Sequence, residues 1–203
     1  MKRTILLSLV ALTLASSVAA QNWPHWRGPT YNGAAETARD LPVRFSPTEN
    51  VRWIAELPGP AAATPVIWGD SVFISSVDPA AQTLLAICFD RHTGRERWRQ
   101  IAGSGYRPAD KGTPIQLDYR SNYASASPVT DGERVIFYYG NGDLVCFDFQ
   151  GRRLWARNLQ RDYGDFCFWW TYSSSPLLYE GRLYIPVMQR DQPTDGRGRE
   201  GAE

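Results

Sequence analysis

TPVIWGDSVFI from Thr64, SPVTDGERVIF from Ser127 and SPLLYEGRLYI from Ser175 are three versions of one segment. In each, Ser or Thr precedes Pro, Val or Leu follows at once, and the seventh residue beyond the Pro is Val72, Val135 or Leu183 without insertion. Between the apolar halves stand Gly69-Asp70, Asp131-Gly132 and Glu180-Gly181, the residue types that a tight hairpin turn needs. Each segment predicts a β-hairpin. Their starts lie 63 and then 48 residues apart, from Thr64 to Ser127 to Ser175, which marks a repeating unit. Units of this size cannot bury a core alone and must stack.

A second pattern follows the first two hairpins. ICFDRHTGRERW runs from Ile87 to Trp98 and VCFDFQGRRLW from Val145 to Trp155, so Cys-Phe-Asp leads through a Gly turn to Trp. These read as third and fourth strands. Gly94 and Gly151 suit the positive φ of the turn, and Asp90 or Thr93 can bond back to its backbone. NVRW, ending at Trp53, repeats the closing pattern with no hairpin before it. Four strands per unit and a recurring Trp predict an all-β fold, a β-propeller of four-stranded antiparallel blades. The strand after each Ser/Thr-Pro should be innermost. Ala61 to Ala63, Ala124 to Ala126 and Ser173 to Ser175 precede it, and these side chains are small, as crowding at an axis requires.

Asp90 to Trp98 resembles the tryptophan-docking motif of the pyrroloquinoline-quinone (PQQ) type propeller repeat: Asp, two residues, Thr-Gly, three residues, Trp. Asp90, Thr93, Gly94 and Trp98 carry the match, with Cys88 where Ala is usual. The second copy, with Asp148, Gly151 and Trp155, is one residue shorter and lacks the Thr. NWPHWRGPTYNG, Asn22 to Gly33, resembles the opening of secreted bacterial PQQ-like propellers. The resemblance implies rings of about seven or eight blades. Some three blades are visible here, so the chain is expected to be an N-terminal fragment of an incomplete propeller; the alternative is a complete short protein with a disordered tail.

The expected organisation is a leader at 1–20, a segment at 21–50 leading into the propeller, blades at 51–188 and a polar tail at 189–203 that reads as an interrupted blade loop. Lys2 and Arg3 precede an apolar run from Ile5 to Val18, and small residues close it, which is the layout of a secretory signal cleaved near Ala20. An uncleaved anchor is the other reading, but the run falls short of the roughly 20 residues that span a bilayer. The mature chain carries no second span, and a periplasmic or secreted location follows. Hydrophobic residues make up 43% of the chain, too many for a disordered protein, and a net charge of +1 argues against a nucleic-acid partner. Three Cys give no disulfide framework, and no spacing of His or Cys suggests zinc or haem.

Chemistry, if present, is expected on the loops that enter the innermost strands. Those at 101–123 and 156–172 are long and carry Arg120, Tyr123, Asp165, Trp169, Trp170 and Tyr172, the candidates for a loop-face binding site. The same aromatics can serve as packing between blades. Cys88 and Cys146 should point inward, and Cys167 falls in the second loop. The resemblance implies two functions. One is a quinoprotein dehydrogenase, with PQQ on a Ca²⁺ held by carboxylate and amide oxygens, and an adjacent Cys pair in alcohol-oxidising members. Asn122 and Asp165 are available oxygen donors, but there is no adjacent Cys pair. The other is a non-catalytic exported scaffold for a protein or glycan, similar to the propeller subunit of the outer-membrane protein assembly machinery. The scaffold is the expectation, with no catalytic, cofactor or metal residues assigned; PQQ and Ca²⁺ belong only to the alternative.

Overall fold

A computed structural model describes residues 22–36, 38–105, 122–164, 166 and 171–187. The leader and the polar tail lie outside the described residues. The strands β1 (Val66–Trp68), β2 (Ser71–Asp78), β3 (Thr83–Asp90) and β4 (Glu96–Ser104) form one antiparallel sheet in that order. A second sheet repeats it with β5 (Val129–Thr130), β6 (Arg134–Tyr138), β7 (Asp143–Asp148) and β8 (Arg153–Asn158). The third hairpin is β9 (Leu177–Tyr179) with β10 (Arg182–Tyr184). Register is shared: Val66 faces Phe73, Val129 faces Ile136 and Leu177 faces Tyr184. The fold is nearly all β and consists of consecutive propeller blades.

The loop expected from Ala156 begins differently. β8 runs on to Asn158, whose side chain accepts the Arg161 N–H at 3.0 Å and caps the short helix α1 (Leu159–Tyr163). An Asn before Leu-Gln-Arg-Asp is a helix start signal, so this turn of helix was readable. Among the described residues no helix is long and apolar enough to cross a membrane.

The middle strands lack the alternation of a half-exposed sheet. In β2, Ser71 to Val77 are all buried, and so are Leu84 to Phe89 of β3. Both faces are covered because the sheets stack face to face. One core lies between the first two sheets, with Phe73, Val77, Leu84 and Cys88 from one side and Val135, Phe137, Val145 and Phe147 from the other. A second packs Ile136, Tyr138, Leu144 and Cys146 against Leu178 and Leu183. A third covers Ile74, Leu85 and Ile87 with Trp53, Ala55 and Leu57. The outer strands β4 and β8 are largely exposed.

Tryptophan links one sheet to the next. The Trp98 indole N–H donates to the Phe149 carbonyl at 2.9 Å, and its ring lies over Gly151, where an added Cβ would stand 2.8 Å from the ring. Trp53 does the same one unit earlier, donating to Arg91 at 2.8 Å and covering Gly94. Both glycines have positive φ, +71° and +81°. Their turns are held by the Asp that precedes them. Asp90 Oδ1 accepts the His92 and Thr93 N–H groups and the Thr93 hydroxyl, while Arg97 donates to Oδ2 at 2.6 Å. In the shorter copy Asp148 accepts the Gln150 and Arg152 N–H groups and the Arg152 guanidinium. The missing Thr is thus replaced by Arg152. The bond to Arg97, and then those to Thr93, hold the Asp90 carboxyl well below the usual carboxylate range. Cys88 and Cys146 stand directly across from Trp98 and Trp155, next to a register shift of the same kind in both sheets. A small side chain there leaves room for the indole.

The first strands of successive units lie against one another and are clipped by hydroxyls. Thr64 N–H donates to Ser127 Oγ at 2.9 Å, and Ser127 N–H donates to Ser175 Oγ at 3.0 Å. The residue before Pro thus links each unit to the next, with Ser127 both accepting from Thr64 and donating to Ser175. The N-terminal segment crosses all three of these strands. Trp23 pairs with Ile67 through both backbone groups, Pro24 accepts the Thr130 N–H at 2.9 Å, and the Tyr31 hydroxyl donates to the Leu178 carbonyl at 3.3 Å. Its Trp-Pro-His-Trp-Arg-Gly stretch is a strap across the innermost edges, which otherwise present unpaired N–H and C=O groups.

Three outcomes are expected from denaturant unfolding. Gly69 and Gly151 both have positive φ, but an added Cβ meets nothing at Gly69. Gly151→Ala should therefore cost about 2 kcal/mol or more and Gly69→Ala about 1 kcal/mol; equal costs would deny the ring a structural role. Trp98→Ala should cost about 3 kcal/mol or more, whereas Trp26→Ala, at a ring that is 50% exposed, should cost under about 1 kcal/mol. Ser127→Ala removes a hydroxyl clip and should cost about 1 kcal/mol, with an unchanged midpoint counting against the clip.

Candidate functional site

Where the innermost strands begin, the units leave a cleft of about 410 Å³. It is lined by Trp26 from the strap, Ala62 and Thr64 before β1, Ser125 and Ser127 before β5, and Ser173 to Ser175 before β9. Among the described residues no charged side chain lines it. The Ser127 and Ser175 oxygens already accept backbone N–H groups, so each hydroxyl proton is left to donate. Trp26 supplies a half-exposed indole, with the Arg27 guanidinium 4.9 Å from its ring centroid. The strand order puts these groups together; in sequence they span Trp26 to Ser175. Sequence reasoning assigned the small residues to crowding at the axis and missed both the clip and Trp26. The signal was the hydroxyl residue before Pro in every copy.

Of the loop-face candidates, Arg120, Asp165, Trp169 and Trp170 lie outside the described residues, as does Cys167. Tyr123 and Tyr172 are described, and both are buried at 3% exposure. Tyr123 sits in the core between the first two sheets, and Tyr172 packs on Tyr138 and Phe166 at 5.4 and 5.3 Å in the next, its hydroxyl donating to the Pro186 carbonyl. Both serve packing rather than an open loop face. The repeat residues Asp90, Thr93, Gly94, Trp98, Asp148 and Gly151 stand in the turns and stacks described above. Trp155, the third closing Trp, lines a larger apolar groove of about 670 Å³ with Leu144, Leu159, Leu183 and Ile185. The corresponding faces of Trp53 and Trp98 are covered by glycine turns.

The described oxygen donors do not assemble a Ca²⁺ set for a quinone. Asn122 Oδ1 accepts the Ala124 N–H at 2.7 Å and is committed to the turn that enters β5. Among the described residues no three His, Cys, Asp or Glu side chains converge to hold a metal ion. Burial pushes the Cys88 and Cys146 thiols up to about 11, which keeps them protonated and unreactive near neutral pH. His92 is exposed in the first glycine turn, 3.0 Å from Asp70.

Comparison with known proteins bears on the repeat. The family described as outer membrane protein assembly factor BamB matches residues 43–189. A polyvinylalcohol dehydrogenase of a Pseudomonas species is 23% identical over 166 residues, covering 81% of this chain and 23% of that protein. Among solved structures, BamB from Moraxella catarrhalis is 20% identical over 53% of this chain and 26% of its own, with a TM-score of 0.37. The quinohemoprotein alcohol dehydrogenase from Comamonas testosteroni is 18% identical over 62% of this chain and 17% of its own, with a TM-score of 0.43. The chain spans about a quarter or less of the length of these relatives. With most of the repeat region matched, from the segment before Trp53 to the third hairpin, the chain belongs to the PQQ-repeat propeller family that bears the BamB description.

Proposed function

We propose that the chain is part of an exported β-propeller scaffold that holds a protein or glycan partner at the axial end of its blades. The observation that carries this reading is the cleft at the strand starts, where the half-exposed Trp26 indole stands beside uncharged Ser and Thr side chains. An indole offers a flat apolar face, and hydroxyls whose oxygens already accept a bond offer donors. Such a surface suits an extended, oxygen-rich and uncharged ligand, whether a sugar ring or a peptide backbone. The leader read at residues 1–20 supports export to the periplasm or beyond. The family's description, an assembly factor for outer-membrane proteins, supports the choice of a scaffold.

A second reading is favoured by one finding, the likeness to polyvinylalcohol dehydrogenase along 81% of the chain. In that reading the complete protein is a PQQ- and calcium-dependent dehydrogenase, and its cofactor set draws on residues beyond those described.

Two measurements separate the readings. Titration with a panel of soluble oligosaccharides and extended peptides, followed by tryptophan fluorescence, should find a saturable ligand whose affinity falls at least about tenfold in Trp26→Ala. Failure of every panel member, or equal affinity in the variant, removes the axial cleft as the site. Adding PQQ with Ca²⁺ should leave the thermal midpoint unchanged; a saturable shift that needs calcium would establish the dehydrogenase reading instead.

A further inference from the structure

His25 is the one residue of the strap whose charge can change near neutral pH, and it is enclosed. It is 4% exposed and stacks on Tyr31 with ring centroids 4.3 Å apart. Its Nδ1 accepts the Arg27 N–H at 3.3 Å, which puts the proton of the neutral ring on Nε2. Nε2 is buried and has no hydrogen-bond partner among the described residues. The ring borders a hollow of about 220 Å³ at the turn end of the units, shared with Trp68, Thr130, Asp131, Leu178 and Glu180. Strap contacts flank it on both sides: Trp23 with Ile67 and Pro24 with Thr130 before it, Tyr31 with Leu178 after it.

We propose that residues 22–33 are a proton-operated strap, docked across the innermost strands while His25 is neutral and released when His25 takes up a proton. The chemistry is local. A proton added at Nδ1 would face the Arg27 N–H, replacing an acceptor with a donor, and the new charge would sit in an enclosed aromatic setting with no acceptor for Nε2. The charged and titratable groups around it are few. Arg27, on the strap itself, meets the ring through its backbone N–H, and its guanidinium lies over Trp26. Tyr31, also on the strap, stacks on the ring. Asp131, from the β5–β6 turn, is already engaged by Arg134 through two contacts of 3.1 and 2.9 Å. Glu180, from the β9–β10 turn, is exposed and remains solvated. Neither carboxylate is hydrogen-bonded to the ring. Burial accordingly lowers the His25 pKa from its ordinary 6.5.

The sign follows from proton linkage. The released strap binds a proton with the ordinary pKa of 6.5 and the docked strap with a lower one, so release takes up protons. Docking is at full strength above about pH 6.5 and weakens as pH falls from there to the docked value, below which the loss levels off.

The chain holds two histidines, His25 and His92, and His92 is the exposed internal control. Hydrogen exchange on the whole chain should show protection of the Ile67 and Thr130 amides falling below about pH 6.5, by up to about tenfold per pH unit. His92→Gln should keep this profile. His25→Gln, whose side chain cannot titrate but can still accept the Arg27 N–H, should abolish it. Ring resonances should place the His25 pKa below 6.5 with the neutral proton on Nε2. An unchanged profile in His25→Gln, or a His25 that titrates at or above 6.5, overturns the proposal. If His25→Gln loses strap protection at every pH, the ring titration in the unaltered chain still decides.

Discussion

Trp53 and Trp98 each lie on the glycine turn of the following unit, and most of the architecture depends on that contact. The ring needs a residue without a Cβ beneath it, a backbone at positive φ to present that residue, and a carbonyl placed to accept its N–H. Gly94 with Arg91, and Gly151 with Phe149, meet all three conditions. The turn must also be stiff, which Asp90 and Asp148 provide by accepting its backbone N–H groups. A sheet alone has two apolar faces and no means of choosing a neighbour. A directional bond beside a shape-specific stack fixes both the neighbour and its rotation.

Once the outer ends are locked in this way, the inner ends have little freedom. Strands that diverge outward must converge inward, and convergence excludes large side chains. Ala62, Ala124, Ala126 and the Ser residues follow from this, as does the choice of a hydroxyl rather than a bulky group to bridge Thr64, Ser127 and Ser175. Each bridging oxygen gives one of its two acceptor sites to the neighbouring unit. What remains among the described residues is a cleft at the strand starts into which the Ser127 and Ser175 hydroxyls can donate.

The blades were legible because every element of the interlock is written locally: Ser/Thr-Pro, a turn pair, Cys-Phe-Asp, Gly and Trp recur in order. In the degenerate second turn Asp148 and Gly151 keep the two structural roles while Arg152 stands in for the absent Thr. The site was legible only in part. Tyr123 and Tyr172 read as loop residues because they end long polar stretches, yet each begins the run into an innermost strand and is drawn into a core by its neighbours on other units. Trp26 went unassigned because its partners lie between 36 and 149 positions away, and no local pattern encodes a strap that crosses three strands. The capped helix α1, five residues long, shows no helical period, and only the Asn158 start signal marks it in the sequence.

Adjacent strap residues serve opposite ends of the axis. Trp26 lines the cleft at the strand starts, and His25 borders the hollow at the turn end. The two cannot move independently, because the backbone between them is pinned on one side at Ile67 and Thr130 and on the other at Leu178. A ligand that needs the Trp26 ring in place therefore needs a docked strap, and a docked strap favours neutral His25. Linkage makes the relation reciprocal: protons that weaken docking weaken the ligand's hold, and the ligand lowers the pH at which the strap lets go. On the proposed readings, the binding surface and the proton-sensing group need no wire between them, only the single peptide bond that joins His25 to Trp26.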